Sequence, residues 1–363
     1  MSVSSVRRNR QQVVPGRFGS VAELLEWLER VRKNKNWSDW HWQVRNSLGA
    51  VDLARLGLLQ QPDAAEAALR YAVGVTPYYL AIGDLTNEKD PVVRQWLPCG
   101  EECALANGGV RDPFGEAGST PLPGVVHRFA DRVLVMTSDR CAVRCRHCTR
   151  KNAMDGLPLT HSVAELQAAV DYVSAHSKVR EVILSGGDPL LDGDSSVLRF
   201  VRAFAALPQI DAVRIGTRVL STLPMRITQG LAVALGESGK VWVNTQFNHE
   251  AELTAEAAVA CRRLVEAGVP VSNQSVLLRG INDSLAALEG LCCGLQRIRV
   301  RPYYVFIGDP VMGTEHLRVS ATRAAKLAKE LAQRIGGLAM PRFVADIPGA
   351  PSKTDVGELV RCS

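Results

Sequence analysis

The stretch "DRCAVRCRHCTR", residues 139–150, places Cys141, Cys145 and Cys148 at the spacing C-x3-C-x2-C. Zinc usually takes four ligands in two separated pairs, and no partner pair exists elsewhere, although His147 leaves a Cys3His site open as the minor alternative. A [4Fe–4S] cluster normally takes four cysteines. A cluster held by only three would keep one iron open, able to bind a ligand and pass it an electron. The spacing therefore favours an iron–sulfur cluster with an open iron.

The bulk composition excludes several classes of protein. The chain has 363 residues, 46% hydrophobic and 22% charged, with a formal net charge of +6. No apolar run approaches the ~18 residues of a membrane span, and no basic block predicts nucleic-acid binding. The first residues, "MSVSSVRRNRQQVV", lack the apolar core of a secretory signal and are expected to be a short disordered arm. Nine cysteines without an export signal predict a reduced, cytoplasmic protein without disulfides.

From residue 132 onward, apolar β-branched runs alternate with segments of helical periodicity. The runs are "RVLVMT" (132–137), "EVILS" (181–185), "AVRIG" (212–216), "VWVNT" (241–245), "VSNQSVLL" (271–278) and "VRPYYVF" (300–306). Such alternation predicts parallel strands joined by crossover helices. Six units are too few for a closed eight-stranded barrel. A six-stranded open barrel or a doubly wound sheet remains.

The candidate chemical groups follow the ends of these predicted strands. The cysteine stretch comes after the first strand, "SGGDPLL" (185–191) after the second, and Asp309 after the sixth. In parallel α/β folds, function collects at the carboxyl ends of the strands. We therefore expect these groups to meet at one end of the sheet.

The cysteine motif resembles that of the radical S-adenosylmethionine (SAM) superfamily, and longer pieces resemble its lysine 2,3-aminomutase family. These pieces include "WSDWHWQVRN", "TPYYLAIGD", "HRFADRVLVMTSDRCAVRCRHCTRK", "VILSGGDPLL", "NQSVLLRGIND", "RPYYVFIGDPVMGTEH" and "DIPGAPSK". The resemblance implies an α/β fold, a partial (β/α)6 barrel with a helical N-terminal extension. We expect the extension and an irregular linker over 1–125, the barrel over 126–310, and a C-terminal helix with a functional lysine over 311–363.

The resemblance also implies an activity and its cofactors. A [4Fe–4S] cluster and SAM would generate a radical, and pyridoxal 5′-phosphate (PLP) would carry the amine while it moves from carbon 2 to carbon 3 of an L-amino acid. The enzyme would be an isomerase acting on a small molecule, supplied with electrons by a flavodoxin- or ferredoxin-type donor. A homo-oligomer remains open, although Ser284 stands where the family has a zinc-ligand cysteine.

The family's functional positions carry over to residues of this chain. They are Cys141, Cys145 and Cys148 for the cluster; Gly186, Gly187 and Asp188 for SAM; Lys353, Arg128 and Arg132 for PLP; and Arg150, Gln274, Asp309 and Asp346 for the substrate. Arginine suits a carboxylate because its donors pair bidentately. Two buried carboxylates resist ionising together without a cation, so the aspartate pair favours a substrate with a cationic tail.

Two amino acids with a cationic tail, lysine and arginine, remain as candidate substrates. Lysine is slightly favoured, and the product would then be β-lysine. Gly308, before Asp309, is smaller than expected for lysine enzymes and could leave room for a guanidinium group. Arginine, giving β-arginine for antibiotic biosynthesis, is therefore the alternative. A different radical SAM enzyme that modifies RNA or protein, or a zinc-binding interaction module, is the further alternative.

Overall fold

The computed structural model describes residues 18–103, 109–153, 156, 158–350 and 352–362. The N-terminal arm expected over residues 1–14 lies outside this part of the chain. In the described residues, a single mixed sheet runs in the strand order 1-2-3-4-5-6-7-8-9. Its strands are β1 Val125–Phe129, β2 Arg132–Ser138, β3 Glu181–Gly186, β4 Ala212–Thr217, β5 Val241–Thr245, β6 Val271–Leu277, β7 Arg301–Ile307, β8 Arg342–Ala345 and β9 Thr354–Asp355.

The helices fall into an N-terminal group and a group that alternates with the strands. The first group is α1 Val21–Arg32, α2 Trp40–Arg45, α3 Ala50–Arg55, α4 Pro62–Arg70 and α5 Pro77–Ala81. The second is α6 Val163–Ala175, α7 Asp194–Ala205, α8 Val219–Thr222, α9 Gln229–Gly236, α10 Ala255–Glu266, α11 Leu285–Arg297, α12 Ala321–Leu331 and α13 Val356–Cys362. Short 3₁₀ turns lie between them. Ser20 and Ser162 cap α1 and α6, because their side chains accept hydrogen bonds from the backbone N–H groups of Glu23 and Glu165.

The strand order decides between the two folds that the pattern allowed. Strands β2 to β8 run parallel to one another, and their order in the sheet is their order in the sequence. A doubly wound sheet needs a reversal of strand order, and none occurs among these strands. Right-handed crossovers that always progress in one direction place their helices on one face, so the sheet curls around the other. The predicted partial barrel is confirmed, and the sheet does not close.

Side chains on the strands alternate between the helices and the inside of the curl. In β3 and β4, Val182, Leu184, Val213 and Ile215 are fully buried in the main core beneath the helices. The residues that alternate with them along the strands, such as Ser185 and Arg214, face an internal cavity instead. This period of two leaves the inner face available for polar groups.

The six predicted strands are all present, but the sheet is larger than predicted. A seventh parallel strand, β8, adds to β7, and the antiparallel strands β1 and β9 cover the two edges. Strands β8 and β9 escaped the sequence prediction because they span only four and two residues. The segment boundaries placed near 125 and 310 remain a prediction.

The N-terminal helices form a second hydrophobic layer. Its core contains Leu24, Trp37 and Trp96, and it also includes Val143 from the cysteine stretch. The tryptophan-rich segment "NWSDWHWQVRN", residues 36–46, thus packs the N-terminal helices against the body of the protein, with Trp37 in this layer and Trp40 against the main core. No helix in the described part of the chain is long and apolar enough to span a bilayer.

Candidate active site

Two adjoining cavities lie inside the curl of the sheet, the first at the carboxyl ends of the strands and the second extending toward the amino ends of β2 and β3. The first, of about 250 Å³, is lined by the cysteine stretch and the ends of β3 to β6. The second, of about 330 Å³, extends toward β1, β7 and the segment after β8. The two share six wall residues: Thr149, Arg150, Ser185, Gly216, Asn244 and Gln274. We call them the cysteine cavity and the lysine cavity.

The three predicted cysteines all line the cysteine cavity. Burial raises the pKa of Cys141 well above its usual value, and burial together with the neighbouring Cys145 thiolate raises the pKa of Cys148. Thiols in such surroundings ionise only when a cation compensates them. The site therefore fits a positively charged metal group.

The spacing of the sulfur atoms separates the two kinds of metal site. Sulfurs bound to one zinc lie about 3.8 Å apart, because Zn–S bonds are about 2.3 Å long and tetrahedral. Among the described residues, the three Sγ atoms do not all lie within 4.8 Å of one another, with or without His147. His147 instead contacts Gln246 and Asn248, at 2.9 and 3.3 Å from its Nε2. This arrangement does not match a mononuclear Cys3His zinc site.

The cysteine stretch is fastened to the end of β3 by its backbone. Gly187 N–H donates to the Ser138 carbonyl at 2.5 Å, and Asp188 N–H donates to the Arg140 carbonyl at 2.6 Å. A Cβ on Gly187 would lie 2.5 Å from that same Arg140 oxygen, and Gly186 has φ +124°. We call this arrangement the backbone clasp. The glycines predicted to approach SAM line the cavity, and they are also required by the clasp.

Asp188 fills a structural role in addition to lining the cavity. Its carboxylate accepts hydrogen bonds from Thr217 Oγ1 at 2.7 Å and from Arg218 N–H at 2.8 Å. Burial raises its pKa, which these hydrogen bonds oppose. Asp188 thus ties the end of β3 to the end of β4.

Arg218, which the sequence analysis missed, reaches the cysteines directly. Its Nη1 lies 2.8 Å from Cys145 Sγ, and its Nη2 donates to Glu252 at 2.8 Å and to Gln95 at 2.6 Å. The guanidinium is therefore fixed by an acid and an amide, and it offers positive charge to one sulfur. Arg218 follows β4 directly, so the rule that function follows strand ends would have found it.

Two more cations, within and just after the cysteine stretch, are held by one buried acid. Glu102, which is 2% exposed, accepts from Arg146 Nε at 2.9 Å and from Lys151 Nζ at 2.6 Å. Arg146 lies between Cys145 and Cys148 in sequence. Glu102 therefore links the N-terminal layer to the cysteine stretch.

In the lysine cavity, sheet register brings Lys353 to Asp346. Strands β8 and β9 are antiparallel with Ala345 opposite Thr354, so the next pair outward is Asp346 and Lys353. The Lys353 ammonium contacts the Asp346 carboxylate. Burial lowers the pKa of Lys353, and the Asp346 charge opposes that effect. The predicted lysine thus lies in a cavity wall, with its amine paired to an acid.

The two predicted phosphate-binding arginines lie on the same wall. Arg128 donates to Asp346 at 3.3 Å, and its guanidinium lies 4.9 Å from the Phe114 ring centre. Arg132 lies over Phe129 at 4.2 Å and pairs with the exposed Asp131. Both line the lysine cavity, where they supply positive charge beside Lys353.

Arg150 and Gln274 lie where the two cavities meet. Arg150 already forms a bidentate pair with Glu116, through Nε at 3.1 Å and Nη2 at 2.6 Å. Its Nη1 has no acceptor among the described residues. Sequence reasoning did not identify Glu116, which lies in the irregular segment before β1.

Asp309 lies beside Asp346 but lines neither cavity in the described structure. Burial, and then the Asp346 charge, raise the pKa of Asp309 to about 7. No side chain among the described residues donates a hydrogen bond to it. Of the predicted acid pair, Asp346 forms salt bridges with Arg128 and Lys353, whereas Asp309 forms none among the described residues and feels those two cations only from a greater distance.

The chain is similar in sequence to proteins of known families. The Radical SAM superfamily model matches residues 135–289. The chain is 38% identical to the L-lysine 2,3-aminomutase of Acetoanaerobium sticklandii, over 89% of this chain and 79% of that protein. It is 38% identical to that of Clostridium subterminale, over 88% and 78%. It is also 32% identical to the glutamate 2,3-aminomutase of Clostridioides difficile, over 95% and 81%.

The backbone clasp generates a first prediction. Replacing Gly187 with alanine should force the cysteine stretch away from β3, because the new Cβ has no space beside the Arg140 carbonyl. We expect a loss of most reconstituted iron and a fall of about 1–3 kcal/mol in the free energy of unfolding, as is usual for overpacking. Iron analysis and denaturant unfolding measure the two effects.

Gly193→Ala is the matched control, since a Cβ added at Gly193 would have nothing within 4 Å. It should keep the wild-type iron content. Equal iron in both variants would contradict the role assigned to the clasp.

Proposed function

Because this chain belongs to the lysine 2,3-aminomutase family of radical SAM enzymes, we propose that it moves the α-amino group of a cationic L-amino acid, L-lysine first, to carbon 3. The membership makes it an isomerase, and it implies a [4Fe–4S] cluster, SAM and PLP. The observation that carries the proposal is the common wall of the two cavities. A radical source in one and an amine carrier in the other would face the same substrate.

The chain's own residues would divide the work between the cavities. When bound, the cluster and SAM supply a radical that removes hydrogen from unactivated carbon, and PLP supplies spin delocalisation while nitrogen migrates. Cys141, Cys145 and Cys148 would hold the cluster, with Arg218 offsetting negative charge on one sulfur. Gly186 and Gly187 keep the backbone close to this cavity, where SAM would lie.

In the lysine cavity, the ε-amine of Lys353 would hold PLP. Its lowered pKa supports this role, since a neutral amine is the nucleophile that reacts with an aldehyde. Arg128 and Arg132 would pair with the phosphate on the same wall. Arg150 and Gln274 would bind the substrate carboxylate at the junction, where the reacting carbons must be reachable from both cavities.

The acid pair supports a cationic substrate. Asp309 forms no salt bridge among the described residues, and burial together with the nearby Asp346 charge raises its pKa despite the opposing effect of Lys353 and Arg128. An ammonium between the two acids would offset the repulsion between their charges. Asp346 must then exchange Lys353 for the substrate's tail. The named relatives act on lysine and on glutamate, so the choice of lysine is argued from these two acids.

Arginine is the second candidate, and one observation favours it. A Cβ at Gly308 would lie 3.6 Å from Arg318 Cγ, which is ordinary contact, so the backbone does not require glycine there. A small residue next to Asp309 leaves space for the larger guanidinium group, and aspartates pair well with its fork.

Electrons would come from a flavodoxin- or ferredoxin-type protein, and a homo-oligomer is compatible with the proposal.

The substrate proposal is tested by anaerobic assay of the cluster-loaded protein with L-lysine, L-arginine and L-glutamate. We expect the β-isomer of lysine, identified by mass and retention, and no product from glutamate. Cys145→Ala should abolish product formation, because one iron would lose its ligand. Turnover of glutamate alone, or of none of the three, would overturn the proposal.

The pKa of Asp309 predicts a pH dependence. Below pH 7 the carboxyl is mostly protonated and lacks the charge that attracts a cation, so kcat/KM should rise between pH 6 and pH 8. Asp309→Asn should flatten this profile and raise KM at least about tenfold, since losing a buried charge partner costs about 2–5 kcal/mol. A rise of the same size in the variant would show that another group titrates.

Lys353 is tested by its cofactor signature. Lys353→Ala should lose the visible absorbance of bound PLP and reduce turnover to background, because the ε-amine is gone. Lys329→Ala, at an exposed lysine of α12, controls for nonspecific reaction with PLP and should behave as wild type. Retained PLP absorbance in Lys353→Ala that borohydride reduces onto another lysine would refute the assignment.

A further inference from the structure

A second group of metal-ligating side chains lies away from both cavities of the candidate active site. Cys99 Sγ lies 3.4 Å from His316 Nε2 and 3.8 Å from Glu101 Oε2. One ligand atom from each of the three residues lies within 4.8 Å of the other two. They line a cavity of about 390 Å³ that shares no wall residue with the cysteine cavity or the lysine cavity.

The spacing of these atoms suits one small metal ion. With Zn–S bonds of about 2.3 Å and Zn–N bonds of about 2.0–2.1 Å, tetrahedral geometry places sulfur and nitrogen about 3.6 Å apart. The observed 3.4 Å between Cys99 Sγ and His316 Nε2 is close to this value. The Sγ atoms of Cys141, Cys145 and Cys148, by contrast, do not all lie within 4.8 Å of one another. The two groups therefore differ in the spacing of their ligand atoms.

The imidazole of His316 is oriented toward Cys99 by one of its two nitrogens. Its Nδ1 is buried and has no hydrogen-bond partner in the described structure. Its Nε2 is the ring atom that contacts Cys99. An ion placed beside Cys99 would therefore be bound through Nε2, and Nδ1 would stay unpartnered.

The three residues lie in or next to two 3₁₀ turns that are far apart in sequence. Cys99 and Glu101 flank the start of a 3₁₀ turn, Gly100–Glu102, in the N-terminal layer. His316 is in another 3₁₀ turn, Glu315–Leu317, after β7. A shared ion would join the N-terminal layer to the barrel.

We propose that Cys99, Glu101 and His316 bind one Zn²⁺ ion, with a fourth position open to the cavity. Zinc is the choice because it accepts thiolate, imidazole and carboxylate together, whereas magnesium and calcium prefer oxygen ligands alone. Three protein ligands and an open position leave room for a water molecule. The site would strengthen the join between the two layers.

The test uses the untagged, cluster-loaded protein, dialysed anaerobically against Zn²⁺ and analysed for zinc per chain. We expect one zinc equivalent in the wild type and a higher unfolding temperature than without zinc. Cys99→Ser and His316→Ala should each lose that equivalent and the temperature shift. Glu101→Gln should bind at least about tenfold more weakly, in line with loss of one ligand of four.

Cys103→Ser is the matched control, because this cysteine lies in the same segment and belongs to no such group among the described residues. It should keep the zinc equivalent. Substituting Co²⁺ should produce a thiolate charge-transfer band that Cys99→Ser lacks and Cys103→Ser retains, provided that each variant keeps its iron–sulfur spectrum. Equal zinc in the wild type and Cys99→Ser, or no bound zinc in the wild type, would overturn the proposal.

Discussion

The backbone clasp between the cysteine stretch and the end of β3 is the constraint on which the rest of the site depends. Two peptide hydrogen bonds fix Ser138 and Arg140 against Gly187 and Asp188. No side chain fits between them, so glycine is required by close approach as well as by a positive φ at Gly186. The clasp positions the three cysteines in the wall of one cavity. The hydrogen bond from Thr217 to the Asp188 carboxylate connects the clasp to β4.

A second geometric device assembles the lysine cavity. The antiparallel pairing of β8 and β9 turns a sequence separation of seven residues into direct contact between Asp346 and Lys353. Arg128 and Lys353 both form salt bridges with Asp346, whereas the neighbouring Asp309 forms none among the described residues. The two acids thus differ in their pairing, and Asp309 is the one that a cationic group could still approach.

The sequence predicted the six long strands, and it identified the three cysteines that line one cavity, because periodicity and spacing are local signals. It missed β8 and β9, which are too short to show a period and exist through pairing with a neighbour. It also missed Arg218, Glu116 and Glu102, whose importance lies in partners between 34 and 123 residues away. Such contacts follow from the curl of the sheet. The family resemblance reached Lys353 and Asp346, which no local pattern distinguishes from turn residues.

The position of Glu102 has a consequence for how this chain can be divided. Arg146 and Lys151 are buried beside the cysteines, and the acid that neutralises them comes from the N-terminal layer. Gln95, which supports Arg218, comes from that layer too. A barrel expressed without it would contain orphaned charges, at a cost of several kcal/mol each. The helical layer thus supplies the acid and amide groups that pair with buried cations of the barrel. We therefore expect the barrel alone to be unstable without that layer.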